Sequence, residues 1–170
     1  MTHKTRALTA FDDYREMLSD TVRMRAFGDA IRAAVQPGDV VVDLGAGTGV
    51  LAFIALQAGA KRVYVVEKSD AIDLARVIAD HNGWTDQVTF IQAMSTEVNL
   101  PERADVLISE TLGSLGVDEN TLPFTIDARD RLLKPGGRMV PEGVEVWVAP
   151  AETPDVWAKK VDFWRDVGGV

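Results

Sequence analysis

Hydrophobic and polar positions change period several times along the chain, and each change marks an element. Val40-Val41-Val42-Asp43-Leu44 is an apolar, β-branched run that breaks into alternating glycines, Gly45, Gly47 and Gly49, then resumes as Leu51-Ala52-Phe53-Ile54-Ala55. That is a buried strand, a tight loop and a helix start. The same reading predicts a helix from Thr48 to Ala58, a strand from Lys61 to Val66, and a helix from Ser69 to His81 stopped by Asn82-Gly83. Strands follow at Val88 to Gln92 and Ala104 to Ser109, then a helix from about Glu119 to Leu133, and Pro135-Gly136-Gly137 leads to Arg138-Met139-Val140. Upstream, the chain turns helical from Phe11, and Asp20 caps a helix in which Phe27, Ala30, Ile31 and Ala34 share one face before Pro37-Gly38 ends it. Alternating β and α units of this kind predict an α/β fold. The expected form is a Rossmann-like, doubly wound, mainly parallel sheet with helices on both faces.

The C-terminal pattern differs. Val144, Val146 and Val148 alternate with Glu145, Trp147 and Ala149, the period-2 signature of a half-buried strand, and Thr153-Pro154-Asp155 opens a short helix carrying Trp157, Val161 and Trp164. Three of the four tryptophans fall in the last 24 residues. The expected organisation is an N-terminal helical segment over 1–36 that caps the ligand site, a Rossmann-like domain over 37–141, and a strand with an apolar tail over 142–170. An apolar tail of this kind calls for cover, from the start of a second domain or from a partner subunit such as a second copy in a homodimer.

Composition narrows the function. The formal charge of −8 argues against nucleic acid as a partner, because phosphate contacts need clustered Lys and Arg. Between Glu97 and Asp130 there are eight acids and two bases, so the negative potential is concentrated there and suits a basic partner. No apolar run reaches membrane-spanning length, and Met1 to Ala10 lacks the hydrophobic block of a signal peptide, so a cytoplasmic protein without a membrane partner is expected. Without cysteine, thiolate chemistry is excluded, and two histidines offer little for a metal site.

The candidate chemistry sits at predicted strand ends. Alternate glycines permit positive φ and remove each Cβ, so the 45–49 loop is expected to let backbone N–H groups approach a ligand. Glu67 follows the second strand and can accept bonds from both ribose hydroxyls; the plainer alternative is an acid at a solvated strand end. Arg23 lies on the inward stripe of the first long helix, either snorkelling or reaching into the site to pair with a carboxylate. Glu110 follows the fourth strand, at the edge where open α/β sheets bind ligands, and Gly113 and Gly116 allow the loop to return so that Glu119 faces the same cavity. Helix-terminus stabilisation is the competing account of Glu119.

Gly45, Gly47 and Gly49 are spaced G-x-G-x-G and preceded by Asp43, which resembles motif I of the class I S-adenosylmethionine-dependent methyltransferases and departs from the G-x-G-x-x-G of dinucleotide folds. Ser109-Glu110, Gly113 and Glu119 reproduce the spacing of the catalytic loop of the protein arginine methyltransferases. The similarity also covers Met17-Leu18-x-Asp20-x-Val22-Arg23, Ala58-Gly59-Ala60 and Leu133-Lys134-Pro135-Gly136-Gly137 with Pro141. This resemblance implies S-adenosyl-L-methionine as cofactor, with S-adenosyl-L-homocysteine as product. It also implies Arg23 on the methionine carboxylate, Ser95 and Thr96 at the adenine, and Glu110 and Glu119 as a pair of acids gripping a guanidinium. The acceptor would be a basic protein or peptide. The alternatives are a methyltransferase for a small molecule or another protein group, and a cofactor-binding module inactive on its own. The chain departs from the family at Thr111-Leu112, where Trp-Met is usual, and shows nothing corresponding to the β-barrel that follows the cofactor domain there.

Overall fold

The computed structural model describes residues 12–113, 116, 121–165 and 167–169. The chain is helical over 12–19 (α1), and α2 (Thr21–Ala34) follows with Asp20 as N-cap, its carboxylate accepting the N–H groups of Val22 and Arg23 at 3.0 Å. The buried face of α2 carries Gly28 and Ile31, with Phe27 and Ala34 packed against the core. Ala30 is exposed, contrary to the sequence expectation: Gly28 takes the inward position one turn before Ile31, at the spacing of three to four that a helix stripe requires.

The remaining elements are β1 (Val40–Leu44), α3 (Val50–Gln57), β2 (Arg62–Val66), α4 (Ala71–His81), β3 (Val88–Ile91), β4 (Ala104–Ser109), α5 (Thr121–Leu132), β5 (Leu133–Val140) and α6 (Pro154–Lys160). The five strands form one sheet, all parallel, in the order β3-β2-β1-β4-β5. This is the doubly wound Rossmann-like arrangement expected. Its strand order reverses between β1 and β4, the switch point at which such sheets leave a crevice beyond the strand carboxyl ends.

Period-2 alternation within the apolar strands builds two cores. Val41, Val63, Val65, Val106 and Ile108 meet α2, α3 and α4 on one face, whereas Val40, Val42, Leu44, Tyr64, Val66 and Leu107 meet Ala128 and Leu132 of α5 on the other. The 134–137 segment bulges between two ladder pairs, Ala104 with Leu133 and Val106 with Arg138, which is how Pro135-Gly136-Gly137 is accommodated next to a strand.

The half-buried strand expected over Val144 to Val148 is absent. Residues 143–153 have no regular structure, and Val144, Val146, Trp147 and Val148 are exposed, Trp147 by 86% and Val148 by 94%. Alternation states which side of a strand wants cover, but a strand forms only where a neighbour takes its hydrogen bonds, and β5 has none on that side among the described residues. The helix expected at Pro154 is present as α6, and Trp157 and Trp164 are exposed with it. No helix among the described residues is long and apolar enough to cross a membrane.

Candidate active site

A cleft of about 700 Å³ opens at the carboxyl ends of β1, β2 and β4. Its floor is the glycine loop, where Gly45, Gly47 and Gly49 have φ of 65°, 54° and 78°, conformations that side chains with a Cβ rarely adopt. Most of the loop's N–H groups are taken up within the protein, which narrows the sequence expectation that they meet a ligand. Gly45 and Ala46 donate to the Val66 carbonyl at 2.9 and 3.1 Å, Gly47 donates to Glu67 at 2.9 Å, and Gly49 donates to the Ala46 carbonyl at 2.8 Å. What the glycines provide is space. A Cβ on Gly47 would lie 2.5 Å from the Tyr14 ring, and one on Gly45 would lie 2.6 Å from Thr111.

Gly49 does not line the cleft. It is the N-cap of α3, and a Cβ there would press on Phe53 and Ala75 at 3.0 Å, so this glycine serves the close packing of α3 against α4. A glycine has no side chain to cap a helix, and Asp43 supplies the missing acceptor: its Oδ2 takes the N–H of Ala52, in the first turn of α3, at 3.0 Å. Its Oδ1 is buried without a hydrogen-bond partner. Burial pushes the Asp43 carboxyl up to about 8; the Ala52 N–H opposes that, and the negative fields of Glu67 and Glu110 reinforce it.

Glu67 leaves β2 directly into the cleft and is 7% exposed. One oxygen accepts from Gly47 N–H and the other from Ser69 N–H at 2.7 Å, which fixes the carboxylate through backbone alone. A carboxylate has about four lone-pair sites, so each oxygen retains one for an incoming hydroxyl. Arg23 and Glu110, from α2 and the end of β4, form an ion pair across the cleft, with side chains 33% and 22% exposed. A guanidinium carries five donors, and this pairing leaves some for a second carboxylate.

Of the other expected residues, Ser95 lines the cleft within the 3₁₀ turn Ser95–Glu97; Thr96 is exposed and does not, and Ala93 and Met94 stand beside Ser95 instead. Glu119 lies outside the described residues. The sequence reading passed over Tyr14 as a site residue. It comes from α1, covers Gly47 and hydrogen-bonds Ser69; burial raises its hydroxyl pKa first, the charge of Glu67 raises it further, and the Ser69 bond lowers it. Met17, Leu18, Met24 and Phe27 add an apolar wall. The spacing of Tyr14, Met17 and Leu18, three and four residues apart, was the available signal for a helix face turned to the site.

Three acids, Asp43, Glu67 and Glu110, therefore surround a space in which the N–H groups of Gly45, Ala46, Gly47 and Gly49 are already bonded, and Arg23 and Lys68 are the bases among its described lining residues. A diphosphate, which needs several converging N–H donors, finds four of the loop's already taken and carboxylates beside them. A ligand with hydroxyls, one carboxylate and a cationic centre matches the donors and acceptors present.

The fold and this acid-led glycine loop define a class I S-adenosylmethionine-dependent methyltransferase domain. The family model described as PRMT5 arginine-N-methyltransferase matches residues 9–140. A probable protein arginine N-methyltransferase 6 of Arabidopsis thaliana is 40% identical over 159 residues, covering 92% of this chain and 37% of the relative. Protein arginine N-methyltransferase 6 of Xenopus laevis is 38% identical over 160 residues, covering 92% and 46%. Among solved structures, the Trypanosoma brucei PRMT1 enzyme-prozyme heterotetrameric complex with AdoHcy superposes with a TM-score of 0.78 at 31% identity, covering 92% of this chain and 50% of that one. The chain thus belongs to the arginine-N-methyltransferase family, and it spans less than half the length of these curated relatives.

Proposed function

We propose that this chain is the cofactor-binding and acid-bearing part of an S-adenosyl-L-methionine-dependent protein arginine N-methyltransferase, acting on a basic protein or peptide. The observation that carries the proposal is the convergence of Glu67, Arg23 and Glu110 on one cleft floored by Gly45 and Gly47, in a chain whose relatives are named arginine methyltransferases. Glu67 would accept the two ribose hydroxyls on its remaining lone pairs, and Arg23 would take the methionine carboxylate while still touching Glu110. The cofactor supplies an activated methyl group when bound.

The chain's own part is orientation and charge. A guanidinium is a weak nucleophile because its lone pairs are delocalised and its pKa exceeds about 12. Glu110, with Glu119 nine residues later in the sequence, would grip it through charge-assisted bonds, draw positive charge to the gripped nitrogens and leave the remaining nitrogen free to attack in line. The ion pair with Arg23 supports this role for Glu110, since a guanidinium is the very group that the carboxylate holds in the structure.

The test is transfer of labelled methyl groups from S-adenosyl-L-methionine to an arginine-containing basic peptide, with hydrolysis and separation of the methylarginines. Label in methylarginine supports the proposal; label in another residue, or in a small-molecule acceptor only, contradicts it. A second reading, a module that binds the cofactor but transfers nothing alone, is favoured by the uncovered Trp147, Val148, Trp157 and Trp164. It predicts S-adenosyl-L-homocysteine binding without methylarginine until a second polypeptide covers that surface. The same proposal places the chain in the cytoplasm, which imaging of a tagged chain would check.

A further inference from the structure

Two carbonyls at the ends of one turn converge on a single guanidinium. The 3₁₀ turn Ser95–Glu97 follows β3, on the opposite side of β1 from Glu110, and Ser95 is its cleft-lining residue. Little within the turn holds it: Met94, its N-cap, gives no side-chain bond, and its internal bonds run from Glu97 N–H to Met94 O at 2.9 Å and from Val98 N–H to Ser95 O at 3.3 Å. Short 3₁₀ pieces have poor hydrogen-bond geometry and depend on what surrounds them.

Arg131, in the last turn of α5, donates Nη1 to the Val98 carbonyl at 2.6 Å and Nη2 to the Ser95 carbonyl at 2.9 Å. Asp127, one helical turn earlier, accepts from Nε at 2.8 Å and from Nη2 at 2.6 Å and so locks the plane of the fork. The ion pair is about one-third exposed and by itself contributes little. The two carbonyl bonds are another matter, because they tie the turn to a helix whose first residue, Thr121, bonds the Thr111 carbonyl beside Glu110. α5 thereby links the two walls of the cleft.

We infer that Arg131 is a positioning residue for the nucleoside end of the ligand: by holding the carbonyls of Ser95 and Val98 it sets the wall beside the base, and so governs affinity and base selectivity without touching ligand. This rests on the proposed cofactor: with its carboxylate on Arg23 and its ribose on Glu67, its base would extend to the side of the cleft lined by Ser95.

The test is titration of the full chain with S-adenosyl-L-homocysteine, with 5′-methylthioadenosine, which shares only the nucleoside, and with the hypoxanthine analogue of S-adenosyl-L-homocysteine. Wild type is compared with Arg131→Met and Arg131→Lys, with circular dichroism and Tm recorded for each. The expected result is that Arg131→Met weakens S-adenosyl-L-homocysteine and 5′-methylthioadenosine by the same factor, about tenfold for loss of a charge-assisted bond, and narrows the preference for adenine over hypoxanthine. Arg131→Lys, which reaches one carbonyl at a time, should fall between. A merely structural role would lower Tm and leave both Kd values and the base preference unmoved in the folded variants, which overturns the inference; so does a loss confined to S-adenosyl-L-homocysteine. Should Arg131→Met not fold, the Lys variant decides by the same criteria. Failure of the wild type to bind any of the three ligands would remove the cofactor reading and this inference together, a result distinct from wild-type binding with unaltered variants.

Discussion

Glu67 and Glu110 occupy equivalent places, each the first residue after a parallel strand and each in the wall of one cleft, yet they are held in opposite ways. Glu67 is 7% exposed and fastened by two backbone N–H groups; Glu110 is more open and held by the side chain of Arg23. The backbone donors, Gly47 in the tightly bonded glycine loop and Ser69 just before α4, are fixed by the fold, so the β1–β2 side is preorganised. A side-chain ion pair can exchange one partner for another. The difference suits the proposed roles, a rigid subsite that fixes the methyl donor beside an adjustable one for the acceptor.

The sharpest way to break the comparison is to fill the rigid side. Gly47→Val would place a β-branched side chain at φ 54° against Tyr14, and titration should detect no S-adenosyl-L-homocysteine binding while circular dichroism retains the fold. Unchanged affinity would reduce the loop to a turn. On the adjustable side, Glu110→Gln removes a charge-assisted grip and should cut methyl transfer to a basic peptide roughly 10- to 150-fold, from about 1.5–3 kcal/mol per bond to a charged group. Glu119→Gln should do likewise, and, if the two acids act on one guanidinium as proposed, the double variant should lose less than the sum. If Glu119 only supports its helix, its change will cost about 0.3–1 kcal/mol of stability and leave transfer intact.

Glu67→Ala should weaken cofactor binding by about 1–3 kcal/mol. A smaller and different effect concerns Asp43. Its carboxyl pKa rises from 3.8 to about 8 on folding, so between those values the native state binds more protons than the unfolded one, and stability from this group falls as pH rises from about 4 to about 8. Asp43→Asn, which still offers an oxygen to Ala52 N–H, should flatten that slope; Tm measured across this range in both proteins checks the sign. A Tm that rises with pH in wild type relative to the variant would mean that the buried acid is ionised throughout.

The two halves were also unequally legible in the sequence. Strands β1 and β4 were read at Val40 to Leu44 and Ala104 to Ser109 without error, and β2 one residue long, because fully buried parallel strands are continuous β-branched runs and their ends expose the acids that follow. Local chemistry gave Asp20 its cap. The exposed tail was misread as a strand because alternation records a demand for burial, not the neighbour that would satisfy it. Gly49 was grouped with its neighbours by spacing, although its role is decided by Phe53 and Ala75, which only the folded chain brings near. Tyr14 and Arg131 each act on a segment at least 30 residues away; the spacing of Tyr14 with Met17 and Leu18 marks a helix face but not what it covers, and nothing in the sequence marks the bonds of Arg131.

The division of labour between the two acids is tested most directly by one paired measurement, the Kd of S-adenosyl-L-homocysteine for wild type, Glu67→Ala and Glu110→Gln under identical conditions. The account predicts that Glu67→Ala raises Kd by about one to two orders of magnitude, in line with the loss of bonds to a charged group, while Glu110→Gln stays within a few-fold of wild type. Equal losses in both variants, or a larger loss at Glu110, would contradict it.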